Sequence, residues 1–153
     1  MDQTIKVINS NAKEFTKSKM IPVIDRNKPD VNKPQLICFL LCENILADIS
    51  NKISLINIFD GLAISAFPAL IPVNIFFSFV APKGEHNIVV TIETPSKKII
   101  NPPVTKINLN TRSTYNLRLN LKIGFEEKGS YILKGIVDNL PIAEKLLTVS
   151  QDN

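Results

Sequence analysis

The side chains with most chemistry to offer are one histidine, His86, two cysteines, Cys38 and Cys42, and the carboxylates Glu43, Asp48, Asp60, Glu126 and Glu127. A thiolate beside an imidazole would make a nucleophilic dyad, which here means Cys42 with His86. Cys42 lies in the apolar run "LICFLLCENI", where low polarity raises a thiol pKa and blunts the nucleophile. His86 follows "KGE" and reads as an exposed turn residue. No CxxC or HxxxH spacing offers a metal site. A calcium loop needs closely spaced acids in the DxDxDG manner, and neither "ENILADI" nor "FDGL" supplies them. Glu126-Glu127, in "FEEKGSY", suits a solvated hairpin tip. The five glycines are scattered singly, which leaves no phosphate cradle, and Arg26, Arg112 and Arg118 do not cluster. The expectation is no catalytic, cofactor-binding or metal-binding residue, no cofactor, and a protein that is not an enzyme.

The elements that would position these residues are strands. β-Branched residues, Ile above all, dominate the apolar set, and such side chains fit a pleated, half-buried surface. In "LLCENILADISNKISLINIFDGL" (40–62) the polar tip Asp48, Ser50, Asn51 and Lys52 separates two apolar runs, which predicts a hairpin. Asp60-Gly61 predicts a second turn. Cys42 and Glu43 then end a buried strand, with Glu43 facing solvent. "VNIFFSFVAP" is apolar on both faces and predicts a central strand, with Pro72 and Pro82 at its ends. "KGEH" predicts a turn, followed by a strand with Ile88, Val90 and Ile92 on one face. A short strand is expected at 104–109. "YNLRLNLKIGF" alternates, with Leu117, Leu119, Leu121 and Ile123 inward and Asn116, Arg118, Asn120 and Lys122 outward. "SYILKGIVDN" and "LPIAEKLLTV" complete an all-β chain of about 7–9 strands, read as an antiparallel β-sandwich.

The chain has 153 residues and a net charge of +4. Residues 1–34 carry seven Lys/Arg against four Asp/Glu, whereas residues 35–153 carry eleven against ten. Basicity is thus concentrated in a leader, 1–34, ending in the linker-like "KPDVNKP"; the sandwich domain is placed at 35–150. Within the leader, "TIKVI" and "MIPVI" are candidate short strands. Four residues on an extended strand span about 13 Å, beyond the roughly 7 Å Cα limit of a disulfide, so Cys38 and Cys42 should not pair. The N-terminus lacks a charged start followed by an apolar block, and no apolar run reaches about 20 residues. A cytoplasmic protein without a membrane partner is expected.

Several motifs together resemble a family. Leu41-Cys42-Glu43, Leu55-Ile56-Asn57-Ile58-Phe59-Asp60, Phe67-Pro68 and Gly129-Ser130-Tyr131-Ile132-Leu133 are similar to the pattern of a group of uncharacterised bacterial and phage-encoded proteins. The resemblance spans roughly 36–149 and implies an immunoglobulin-like β-sandwich with no catalytic residues to carry over. The leader falls outside it.

These readings favour a non-enzymatic interaction or structural module that meets a protein partner, or a second copy of itself, through strand edges or the N-terminal arm. A carbohydrate-type ligand module is the alternative. It would need exposed aromatics, yet Phe39, Phe59, Phe76, Phe77, Phe79, Phe125 and Tyr131 fit core positions, with Tyr115 and Phe67 as exceptions. Nucleic-acid binding would rest on the leader's Lys6, Lys13, Lys17, Lys19, Lys28 and Lys33, which acids dilute.

Overall fold

Alternating and doubly apolar segments fold as strands throughout the computed structural model, which describes residues 30–152. The strands are β1 (Gln35–Ala47), β2 (Ile53–Phe59), β3 (Gly61–Ile64), β4 (Ala69–Ala81), β5 (Gly84–Glu93), β6 (Ile99–Ile100), β7 (Thr105–Leu109), β8 (Ser113–Phe125), β9 (Gly129–Val137) and β10 (Leu140–Gln151). The two leader strands expected at "TIKVI" and "MIPVI" lie outside the described residues. Among the described residues there are ten strands, above the expected seven to nine. The additional ones are short (four residues in β3, two in β6), and segments of that length carry almost no periodic signal.

One sheet has the order β2-β1-β4-β8; the other runs β3-β10-β9-β5-β6, with β7 also pairing β5. All pairings are antiparallel except β3 with β10, which run parallel. The core lies between the sheets. From the first sheet it takes the odd-numbered residues Phe39, Leu41, Val73, Ile75, Phe77, Phe79 and Leu117; from the second, Ile88, Val90, Ile92, Tyr131, Leu133 and Val137. Phe77 is fully buried, with Phe39 edge-on at 5.2 Å and Phe79 at 5.0 Å. Opposite it, β9 carries Gly135, where an added Cβ would sit 2.7 Å from Phe77 Cζ. The absent side chain is the socket for that ring.

The hairpin expected at 47–53 forms. Asp48 Oδ1 accepts from the amides of Ser50 (2.8 Å) and Lys52 (2.9 Å), and Asn51 takes φ 58°. β4 is interior and buried on both faces from Ile75 to Phe79, and β8 alternates as predicted. Four local expectations are corrected. Asp60-Gly61 makes no hairpin turn: the chain bends there and crosses to the other sheet, with Thr148 N–H donating to the Asp60 carbonyl (2.9 Å). β1 runs past Cys42-Glu43 to Ala47, because Asn44–Ala47 pair with β2. β4 starts at Ala69, so Pro72 is inside it rather than at its end. "KGEH" is also not a turn as a whole: β5 begins at Gly84, whose φ of 136° only glycine adopts without strain, and His86 is a strand residue.

Candidate interaction edge

His86 is the largest departure from expectation. It is 5% exposed. Its Nε2 lies 2.9 Å from the Pro82 carbonyl oxygen and its Nδ1 2.6 Å from Asp138 Oδ2. A carbonyl only accepts, and so does a carboxylate, so an imidazole satisfying both must carry a proton on each nitrogen. Burial is the largest influence on this group and disfavours the cation. The Asp138 hydrogen bond, the Pro82 carbonyl and the Asp138 charge together outweigh it, and the pKa is raised from 6.5. Asp138 Oδ1 also accepts from Asn87 N–H (2.8 Å), and Asp138 N–H donates to Asn87 O (2.9 Å). Asp138 and Asn139 both have positive φ, the conformation of a two-residue hairpin turn between β9 and β10. The cluster therefore clamps that turn to the start of β5. Its nitrogens are already committed, which leaves none to act as a base.

The other candidates do not converge on a site. Cys42 stands on β1 and His86 on β5, in different sheets. Cys38 and Cys42 are free thiols, and burial pushes both pKa values up. Glu126 and Glu127 lie between β8 and β9, where the expected hairpin tip does not form because the chain crosses there from one sheet to the other, and they serve the neighbouring 94–98 turn. Glu127 accepts from Ser96 N–H (3.0 Å), and Glu126 is 3.5 Å from Lys98 Nζ. Glu43 faces solvent from within β1, its carboxylate accepting from Asn57 Nδ2 (2.6 Å). Among the described residues no three His, Cys, Asp or Glu side chains gather as a metal site, and no helix is long and apolar enough to cross a membrane. Tyr115 and Phe67, the two aromatics left over for stacking, are half-buried against the core. The apolar recess lined by Ile92, Ile100, Pro102, Pro103 and Leu121 holds about 210 Å³, below the ~300 Å³ at which small-molecule sites begin. Larger hollows of about 460 and 450 Å³ are open to solvent.

Sheet edges offer more. An edge strand presents unpaired N–H and C=O groups, and proteins blunt it with charge, proline or shortness. In the second sheet the edges are short: four residues in β3, two in β6 and five in β7. In the first sheet β8 is long but carries Arg118 and Lys122. β2 is different. Its sequence, "ISLINIF", has seven residues with no charge, no proline and no glycine, and among the described residues nothing pairs with its outer side. On the sheet face turned away from the core, Ile58 is 54% exposed, Ile56 38% and Leu46 of β1 50%. Asn57 alone interrupts the strand, with φ 52°. Lys52 and Asp60 bracket it. The "ISLINIF" run is visible in the sequence; that it forms an edge depends on pairing that the sequence does not display.

The model of a family of unknown function (DUF6941) matches residues 37–150. No curated protein matches the chain. Among solved structures, the Pseudomonas fluorescens alkylpurine DNA glycosylase AlkC bound to DNA containing an abasic site analog is similar with a TM-score of 0.50 at 6% identity. The similarity covers 77% of this chain and 30% of that one, so this chain spans under a third of that structure's length. At that identity the likeness is one of fold.

Proposed function

The chain belongs to DUF6941, a family of unknown function, and on that footing we propose that it is a non-enzymatic, immunoglobulin-like β-sandwich module that binds a protein by strand addition at β2. The observation that carries the reading is the uncharged, exposed β2 edge. A partner strand laid along it would satisfy the outward backbone groups and cover Ile56 and Ile58.

Three features support the immunoglobulin-like part. β4 pairs β8 in one sheet, and β10-β9-β5 run side by side in the other, matching the B–E and G–F–C neighbours of that fold. β3 leaves the β1–β2 hairpin to join the opposite sheet. Near the start of β9, buried Tyr131 donates its hydroxyl to the Glu127 carbonyl four residues upstream (2.9 Å), as the tyrosine corner of such domains does. A reducing, cytoplasmic setting belongs to the same reading and is supported by the two free thiols.

The test is a photo-crosslinking residue placed at Ser54, exposed on β2, and separately at Arg118 on the β8 edge. The expected result is a protein adduct from position 54 and none from 118. Equal labelling, or none at either site, would refute the reading.

A further inference from the structure

Resting on that reading, we infer that the strand added to β2 is β2 of a second copy, antiparallel about a two-fold axis at Ile56. Asp48 N–H donates to the Lys52 carbonyl, so 48 and 52 form a hydrogen-bonded pair at the hairpin end. Alternation along the ladder then turns the backbone groups of Ser54, Ile56 and Ile58 toward β1. Those of Ile53, Leu55 and Phe59 are left on the free side.

The strand is self-complementary in one register. With Ile56 facing the partner's Ile56, Ser54 meets the partner's Ile58, Leu55 meets the partner's Asn57, and Ile53 meets the partner's Phe59. One step further out, Lys52 meets the partner's Asp60, and the symmetry repeats the ion pair at the other end. A parallel arrangement in the same alignment would set lysine beside lysine and aspartate beside aspartate. A one-residue slip would put outward-facing side chains opposite inward-facing ones. Charge and face thus select a single pairing. It joins the two β2-β1-β4-β8 sheets into one of eight strands and runs the exposed Ile56, Ile58 and Leu46 of both copies into one apolar stripe. Asn57, with its positive φ and its side chain held by Glu43, falls out of the regular ladder. The Ile53–Phe59 pairs at the two ends therefore carry most of the hydrogen bonding. With only the seven-residue β2 of each copy in contact, the pairing belongs to the weak class of interfaces, so assembly should depend on concentration.

Sedimentation of the full-length protein from micromolar to millimolar concentration tests this, for the wild type, K52E, D60K and the double variant. The expected result is a monomer–dimer equilibrium weakened several-fold to about tenfold by each single change and restored by the double. Ile56→Cys should oxidise to a dimer whose mapped bond joins 56 to 56, because facing non-hydrogen-bonded residues lie about 4.5 Å apart, within disulfide range. A monomer at every concentration overturns the self-pairing. Exchange-open Ile53 and Leu55 amides would then leave the edge for a different protein, and protected ones would mean that residues 1–29 occupy it. A dimer indifferent to both charge swaps and not crosslinked at 56 overturns the register, and the β2 reading with it.

Discussion

Replacing Asp138 by asparagine should change the pH dependence of stability more than the stability itself. In the wild type the imidazolium of His86 donates to a carboxylate at 2.6 Å and to the Pro82 carbonyl at 2.9 Å. Hydrogen bonds to charged groups contribute about 1.5–3 kcal/mol, against roughly 1 kcal/mol for neutral ones. The introduced carboxamide keeps an oxygen for Asn87 N–H and offers an NH₂ to Nδ1, which suits a neutral ring still donating from Nε2 to Pro82. The variant should therefore lose about 1–2 kcal/mol where the wild-type ring is charged and very little where it is neutral. The sign follows from the raised folded-state pKa. The wild-type contribution is complete below the unfolded value of 6.5 and is lost as pH rises through the folded value. Each unit between the two corresponds to about 1.4 kcal/mol. At the acid end, Glu93, lowered chiefly by the Lys97 hydrogen bond, and Asp30, lowered chiefly by Asn32 N–H, contribute stability that is lost as pH falls through their folded values. Because the chain has one histidine, an imidazole NMR titration reports this site alone. Urea unfolding from pH 5 to 9 gives the matching free energies. A wild-type pKa at or below 6.5, or an unchanged titration in D138N, would refute the account of the clamp.

Four further outcomes are expected. Gly135→Ala should destabilise by about 1–3 kcal/mol, since its Cβ meets a Phe77 ring held between two other rings. Gly124→Ala, with nothing within 4 Å of its Cβ, should be neutral or stabilising by about 0.4–1 kcal/mol; melting curves showing the same sign at both glycines would contradict the packing argument. Tyr131→Phe should cost about 0.5–1.5 kcal/mol in urea unfolding by leaving the Glu127 carbonyl without its donor. Asp48→Ala removes the acceptor of two tip amides and should cost about 1 kcal/mol, with hydrogen exchange accelerated first at Ser50 and Lys52.

The long strands were legible because their side-chain period is carried by many residues: β8 alternates over its length, and β4 is apolar on both faces. The β1–β2 tip was legible because Asp48 and Asn51 act within five residues of sequence. His86 was not, because the groups that bury and protonate it, Pro82 and Asp138, lie four and fifty-two residues away. Gly135 likewise reads as an ordinary glycine until Phe77 is set opposite it from the other sheet. Asp60-Gly61 carried a hairpin signal that the tertiary structure overrode, since the residues after it found β10 instead of β2. The uncharged character of β2 can be read in one line of sequence; its place at an edge follows only from the order in which four strands line up.

The parallel pairing of β3 with β10 also fixes an order of events during synthesis. β3 leaves the ribosome early, at residues 61–64, while its partner positions, Thr148–Gln151, emerge only after β4 through β9. Every strand of the β2-β1-β4-β8 sheet is complete by Phe125, before any of β9 or β10 exists. A nascent chain at that stage holds four strands whose inner face, with Phe77 and Phe79, has no β9 or β10 to cover it. Closing the longest loops comes last and is entropically the most expensive step. Chain termination within β10 would leave β3 without its strand partner and the second sheet unfinished.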